Sequence, residues 1–210
     1  MHPRMIRRSC LIAFLLATSF TLAQTEFSAE MVDTQKAGTP VQAKIFMAKD
    51  KLRIEPAAAN ARANGGGGAF IMNLATHIST VLMDKQRMYM EMPGETVGQR
   101  SMYNFFRTGD VESACGDWLG QARNKGGSCH KVGNETVNGR SAVKYEGTSS
   151  KGDKVAFWID PKLRFPVKWQ EKNDAGELRN IQEGSQPASL FEVPADYTKF
   201  DMGGMMKQRQ

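Results

Sequence analysis

The sequence predicts a mainly β protein of the α+β kind: one curved antiparallel sheet of about ten strands, with short helices over its open side. Three observations predict it. Residues 143–171 read V-K-Y-E-G-T-S-S-K-G-D-K-V-A-F-W-I-D-P-K-L-R-F-P-V-K-W-Q-E. These are three alternating apolar runs, parted by a polar turn over Gly147 to Asp153 and by a tight turn at Asp160-Pro161, the pattern of a meander. Asn138-Gly139 stands between two further alternating runs and is a hairpin signal, since both residues tolerate positive φ. Between residues 41 and 92, short alternating runs follow one another with brief polar turns. Sheets with this many antiparallel strands curl, and a curl gives a hollow side.

The first 23 residues are read as a signal peptide and not as part of the fold. Arg4, Arg7 and Arg8 open the chain, and Leu11 to Leu22 is apolar but too short to span a bilayer comfortably. Thr21-Leu22-Ala23 then places small residues at the two positions a signal peptidase reads. The expected product is periplasmic or secreted, with no integral membrane segment once the leader is cleaved. Residues 24–200 are expected to form one domain, long enough for a real core.

The elements follow in order. Phe27 to Met31 alternates and opens the first strand. Val41, Ala43, Ile45 and Met47 share a face of the next, and Leu52 and Ile54 share a face after the Lys49-Asp50-Lys51 turn. Ala57 to Gly68 reads as a loop. Its run Gly65 to Gly68 leads into Ala69-Phe70-Ile71-Met72, a strand, and so lacks the Gly-Lys-Ser/Thr ending and helix of a phosphate cradle. Strands follow at Phe70 to Leu74, at Ile78 to Met83 and at Met88 to Met92.

Residues 95–126 read as a helical insertion. Val97, Met102, Phe105 and Phe106 keep a helical spacing, and Val111 to Arg123 would give a second short helix with Trp118, Leu119 and Ala122 inward. Strands resume at Lys131 and run through the hairpin and the meander. A turn is expected over Asn173 to Gly176, then a strand from Leu178 to Glu183. Pro187 to Phe191 makes a short helical turn, and residues 201–210 form a flexible tail rich in Gly and Met.

The whole chain carries 28 basic and 22 acidic residues, a net +6. Three of those arginines leave with the leader, so the mature net charge falls to +3. No basic stripe interleaved with aromatics appears, and no nucleic-acid partner is expected. Cys115 and Cys129 remain. In an oxidising compartment they are expected to pair, stabilising by roughly 3 kcal/mol on the chain-entropy model. The other readings are a metal or redox pair, with only His130 adjacent as a third soft ligand, and free reactive thiols.

Residues 41–92, with K-I-F-M-A-K-D-K-L-R-I-E and T-V-L-M-D-K-Q-R-M-Y-M-E-M, resemble an uncharacterised group of exported bacterial proteins, a domain of unknown function. Residues 136–202 fit the same group through V-N-G-R-S-A-V-K-Y-E-G, F-W-I-D-P-K-L-R-F-P-V-K-W and S-L-F-E-V-P-A-D-Y. The pattern is also similar to the LolA/LolB lipoprotein-carrier superfamily. That resemblance implies a half-barrel sheet which, in better-known relatives, wraps acyl chains. Residues 95–130 depart from the carrier pattern.

The chemistry-bearing residues favour a binder over an enzyme. The mature chain has two histidines, His77 and His130, and no Gly-x-Ser-x-Gly, His-x-x-x-His or His-Glu-x-x-His. No catalytic residue, cofactor or metal is assigned. Acids such as Asp50, Asp84, Asp160 and Asp174 stand at turns, where they cap or bend backbone. Thirteen methionines are many, and Met fills irregular apolar space and suits a cavity for varied lipid tails.

Thioethers also suit Cu(I), and Met202, Met205 and Met206 form a soft cluster. Met88, Met90 and Met92, however, stand roughly 7 Å apart along one strand, too wide for one ion. Trp169 shares parity with Val167 and faces the apolar side. Trp158 points the other way, either into packing or towards a partner. The candidate lining for a lipid or lipoprotein acyl chain is Ile45, Met47, Met88, Met90, Met92, Phe157, Val167 and Trp169. The alternatives are an envelope interaction module with a filled core, joined to another envelope protein, and a copper-binding protein.

Overall fold

The computed structural model describes residues 25–36, 38, 40–57, 68–93, 111–121 and 124–200. The leader, residues 94–110 and the tail from 201 lie outside the described residues, as do the positions of Val97, Met102, Phe105, Phe106, Ala122 and the Met202, Met205 and Met206 cluster.

The described chain folds as one open, curved sheet of twelve strands. In chain order they are β1 Phe27–Asp33, β2 Val41–Ala48, β3 Lys51–Pro56, β4 Phe70–Asn73, β5 Ile78–Met83 and β6 Met88–Pro93. After the helical segment come β7 Ser128–Val137, β8 Arg140–Thr148, β9 Lys154–Asp160, β10 Phe165–Gln170, β11 Ala175–Glu183 and β12 Thr198–Lys199. One meander runs β1 to β6 and another β7 to β11, and β1 joins them by pairing with β11, so the spatial order is β12-β6-β5-β4-β3-β2-β1-β11-β10-β9-β8-β7. The sheet has twelve strands where about ten were expected; one that no alternating run marks is β12, two residues long and parallel with β6 at Thr198↔Met88 and Lys199↔Tyr89.

The local signals act where they were read. Asn138 and Gly139 both take positive φ, 48° and 79°, and turn β7 into β8. Asp160 ends β9 with its side chain: Oδ1 accepts the backbone N–H of Lys162 at 2.8 Å and of Leu163 at 3.0 Å. The turn before β11 falls earlier than expected. Glu171 N–H donates to Asp174 O at 2.6 Å, and Ala175 and Gly176 already belong to the strand. Gly176 lies directly opposite Trp169, and a Cβ there would stand 2.3 Å from the Trp169 ring. The glycine is spent on that aromatic contact and not on a bend.

The second expected helix, Val111 to Arg123, is shorter than expected among the described residues. A 3-10 turn spans Val111–Ser113 and one helix, α1, spans Ala114–Leu119. Trp118 is buried beneath it and Leu119 is half-buried.

The sheet is packed on both faces at β4 and β5. In β4, Met72 is buried in the main core, yet its neighbour Ile71 is buried as well, on the opposite face. There Ile71 and Leu82 meet Phe191, with Phe46, Ala48, Tyr89, Leu190, Val193 and Tyr197 packed around them. The covering residues come from the 3-10 turn Ala188–Phe191 and the chain after it. Arg53 fastens this cover, its Nη1 donating to Leu190 O at 2.7 Å.

Candidate functional site

Cross-strand register builds two apolar rows on one face of β1 to β6. The first runs Ala29–Ile45–Ile54–Phe70–Val81–Met90, each residue directly opposite the next. The second runs Phe27–Met47–Leu52–Met72–Ser79–Met92. Burial falls along each row towards β6. Ala29 and Ile45 are buried, whereas Ile54, Phe70, Val81 and Met90 are half-buried. In the second row only Met92 is half-buried. Met88, opposite Met83, extends the same surface. The half-buried part of the first row crosses four strands, a span of about 14 Å at ordinary strand spacing.

The candidate lining residues thus divide. Met88, Met90 and Met92 stand together on β6 and keep part of their surface accessible. Ile45, Met47 and Val167 are packed in the main core at 4%, 0% and 0% exposure, which leaves no free surface for a ligand to touch. Phe157 is equally buried, but in a second cluster under α1. Trp169 is half-buried and touches both clusters.

β10 carries a bulge between Pro166 and Lys168. Successive side chains of β9 point to opposite faces and so enter different clusters. Phe157 and Ile159 turn towards α1, while Trp158 joins Ala142, Phe165 and Val167 in the main core. Trp158 is buried at 4% exposure and presents no open aromatic surface. Its Nε1 donates to Glu135 Oε2 at 2.7 Å, and the Lys144 and Lys168 ammonium groups lie 5.3 Å and 4.8 Å from its ring centroid. The indole bond first, and Lys144 after it, hold the Glu135 carboxyl below its ordinary value.

Cys115 and Cys129 are joined, with Cα atoms 5.5 Å apart and a sequence separation of 14. The bond fastens α1 to the start of β7. Beneath the helix, Trp118 stacks on Phe157 at 6.1 Å and Phe157 stacks on Tyr145 at 5.2 Å between ring centroids. A Cβ at Gly147 would stand 2.5 Å from Ser128 O and 3.2 Å from the Trp118 ring, so the missing side chain makes room for the neighbouring strand and for the indole. The sequence assigns Gly147 to the polar turn before β9, whereas β8 runs on to Thr148 and contains it. The signal for its role is a glycine inside an alternating strand.

A cleft of about 770 Å³ opens at the same end of these strands, where β7 and β9 start and β8 and β10 end. Its walls mix polar side chains, Gln35, His130, Glu146, Asp153, Lys154 and Gln170 among them, with Val155 and Ala156, and none of the candidate lining residues reaches it. The Tyr145 hydroxyl, on the far side of β8 under α1, donates to Val111 O at 2.5 Å. Among the described residues no group of three or more His, Cys, Asp or Glu could hold a metal ion. Among them too, no helix is long and apolar enough to cross a membrane.

No family model matches the chain, and no curated protein matches it. Solved structures do. An uncharacterised conserved protein from Thermus thermophilus aligns with TM-score 0.50 at 11% identity, over 85% of this chain and 91% of that one. The two share a fold. The Pseudomonas aeruginosa MucA/MucB complex aligns with TM-score 0.46 at 13% identity, over 83% of this chain and 58% of that one. A LolA-superfamily protein from Nitrosomonas europaea aligns with TM-score 0.29 at 11% identity, over 81% of this chain and 89% of that one.

Proposed function

We propose that this is an exported, non-catalytic envelope protein that holds a hydrophobic molecule, an acyl chain in particular, against the β3 to β6 end of its sheet. The observation that carries this reading is the half-buried row Ile54–Phe70–Val81–Met90 with Met88 and Met92 beside it. An isolated exposed apolar residue needs no explanation, but a contiguous apolar row does. The span of the row suits an extended hydrocarbon chain. Each CH₂ removed from water there contributes about 0.8 kcal/mol. Methionine side chains adapt to chains of different length and unsaturation, which suits a carrier better than a selective site. The N-terminal leader supports delivery to the envelope, with cleavage after Ala23.

Native mass spectrometry of protein purified from its host is expected to find co-purifying lipid, and fluorescent fatty acids are expected to bind saturably. Bare protein that ignores fatty acids removes the proposal. A second reading, an envelope interaction module with a filled core, draws support from the close packing of Ile45, Met47, Phe157 and Val167. It predicts no lipid by either measurement and a protein partner recovered by cross-linking in the envelope.

A further inference from the structure

We propose that the Cys115–Cys129 disulfide is a redox latch: its reduction frees the strap of residues 111–121 and uncovers the aromatic cluster beneath. The inference stands on the strap's own geometry and does not depend on the methionine row holding a ligand.

The strap has little stability of its own. The six-residue helix Ala114–Leu119 is far below the length at which helices persist alone in water. Ala114 is buried on the sheet, with Val111 and Leu119 packed beside it. The disulfide ties Cys115 to β7. Trp118 inserts over Gly147 and Phe157. Tyr145 bonds Val111 O, and Lys131 pairs with Glu112 at 2.5 Å, although both members of that pair are largely exposed and contribute little. The disulfide is the covalent fastening, and Trp118, Ala114, Val111 and Leu119 add apolar packing to it.

The latch is also reachable. Cys115 and Cys129 are each half-buried, with exposed Gly116 beside the first and exposed Ser128 and His130 beside the second. The co-reactant is a dithiol reductant. Its thiolate attacks one cysteine sulfur, the S–S bond breaks, and a mixed disulfide forms. The second thiol of the reductant then closes its own disulfide and releases the protein. Two electrons and two protons have passed, leaving Cys115 and Cys129 as thiols and the reductant oxidised. Opening the strap would expose Tyr145, Val155 and Phe157, which are buried against Trp118 when the latch is closed. An apolar surface would then appear only under reducing conditions, a signal that an envelope dithiol oxidoreductase could set.

The test is amide hydrogen exchange of the mature protein, oxidised and after treatment with dithiothreitol, read by mass spectrometry. Exchange of residues 111–121 is expected to rise by about a hundredfold, the equivalent of the closure term for a loop of this length. Strands β8 to β10 should stay protected, binding of a hydrophobic dye should increase, and reoxidation should reverse both. The double variant Cys115→Ser/Cys129→Ser should behave as the reduced protein without any reductant. Equal exchange of residues 111–121 in both states overturns the proposal. So does loss of protection across the whole sheet on reduction, which would make the bond a general staple and not a latch.

Discussion

Glu135 accepts the Trp158 indole N–H at 2.7 Å and lies 3.2 Å from the Lys144 ammonium. Glu183 stands between Lys162 and Arg140, at 2.5 Å and 2.8 Å. Both carboxyls are held below their ordinary value, Glu135 chiefly by the indole bond and Glu183 chiefly by Lys162. A carboxyl depressed in the fold stabilises fully above its unfolded value and loses that stabilisation as pH falls through the folded one. Denaturation midpoints are therefore expected to fall as pH drops below the ordinary glutamate value of about 4.3. Glu135→Gln, which keeps an acceptor but cannot titrate, should flatten that fall; an unchanged slope excludes the role given to Glu135. Packing yields a second prediction. Gly176→Ala would place a Cβ 2.3 Å from Trp169 and 2.8 Å from Val32 O. Urea unfolding should show a loss of about 1–3 kcal/mol, the usual result of overpacking. The sequence Asn173-Asp174-Ala175-Gly176 reads as a turn because local chemistry says so. What moves Gly176 into a strand is Trp169 on the neighbouring strand, a pairing that no local window contains.

The Asn138-Gly139 and Asp160-Pro161 turns were legible because hairpins are local: alternation fixes the faces and Gly, Asn and Asp fix the bends. The pairing of β1 with β11, which closes the two meanders into one sheet, joins segments about 150 positions apart and leaves no local trace. The C-terminal cover was half legible. The helical turn at Ala188–Phe191 was read from its residues, but not its destination. A signal for the destination does exist in Phe70-Ile71-Met72, three apolar residues in succession in a strand, which is the mark of burial on both sides. Phe191 is the centre of that cover at 7% exposure, against Ile71 and Leu82. Phe191→Ala is expected to cost about 3 kcal/mol, the lower end for deleting a buried phenyl ring. Thermal or urea unfolding reads it directly, and a loss below about 1 kcal/mol would mean that the C-terminal segment lies on the sheet without stabilising it.

At the scale of the whole molecule, the same face of one sheet changes from core to accessible surface between β2 and β6. Row by row, residues of one chemical type have different jobs according to their distance from the β1–β11 junction. Met47 is packed tight, while Met90 and Met92 are half-open. The sequence shows the methionines and their alternation but not this gradient, because burial depends on which strands lie central and which lie towards the edge. The gradient separates packing from holding by experiment. Ile45→Ala deletes core volume and should cost about 2–5 kcal/mol of stability. It should leave fatty-acid affinity unchanged in whatever fraction stays folded. Met90→Gln keeps the length of the side chain but makes its tip polar. At a half-buried position it should cost under about 1 kcal/mol of stability. If an acyl chain lies along the row, the lost apolar contact should weaken binding roughly fivefold to tenfold. Met92→Gln should act in the same direction, and the double change should come close to the product of the two, provided the chain lies across both rows. Titration with a fluorescent fatty acid, alongside urea unfolding of the same preparations, reads both quantities. Should Met90→Gln lose stability like a core residue while binding stays at the wild-type level, the row is sheet packing that happens to sit near an edge.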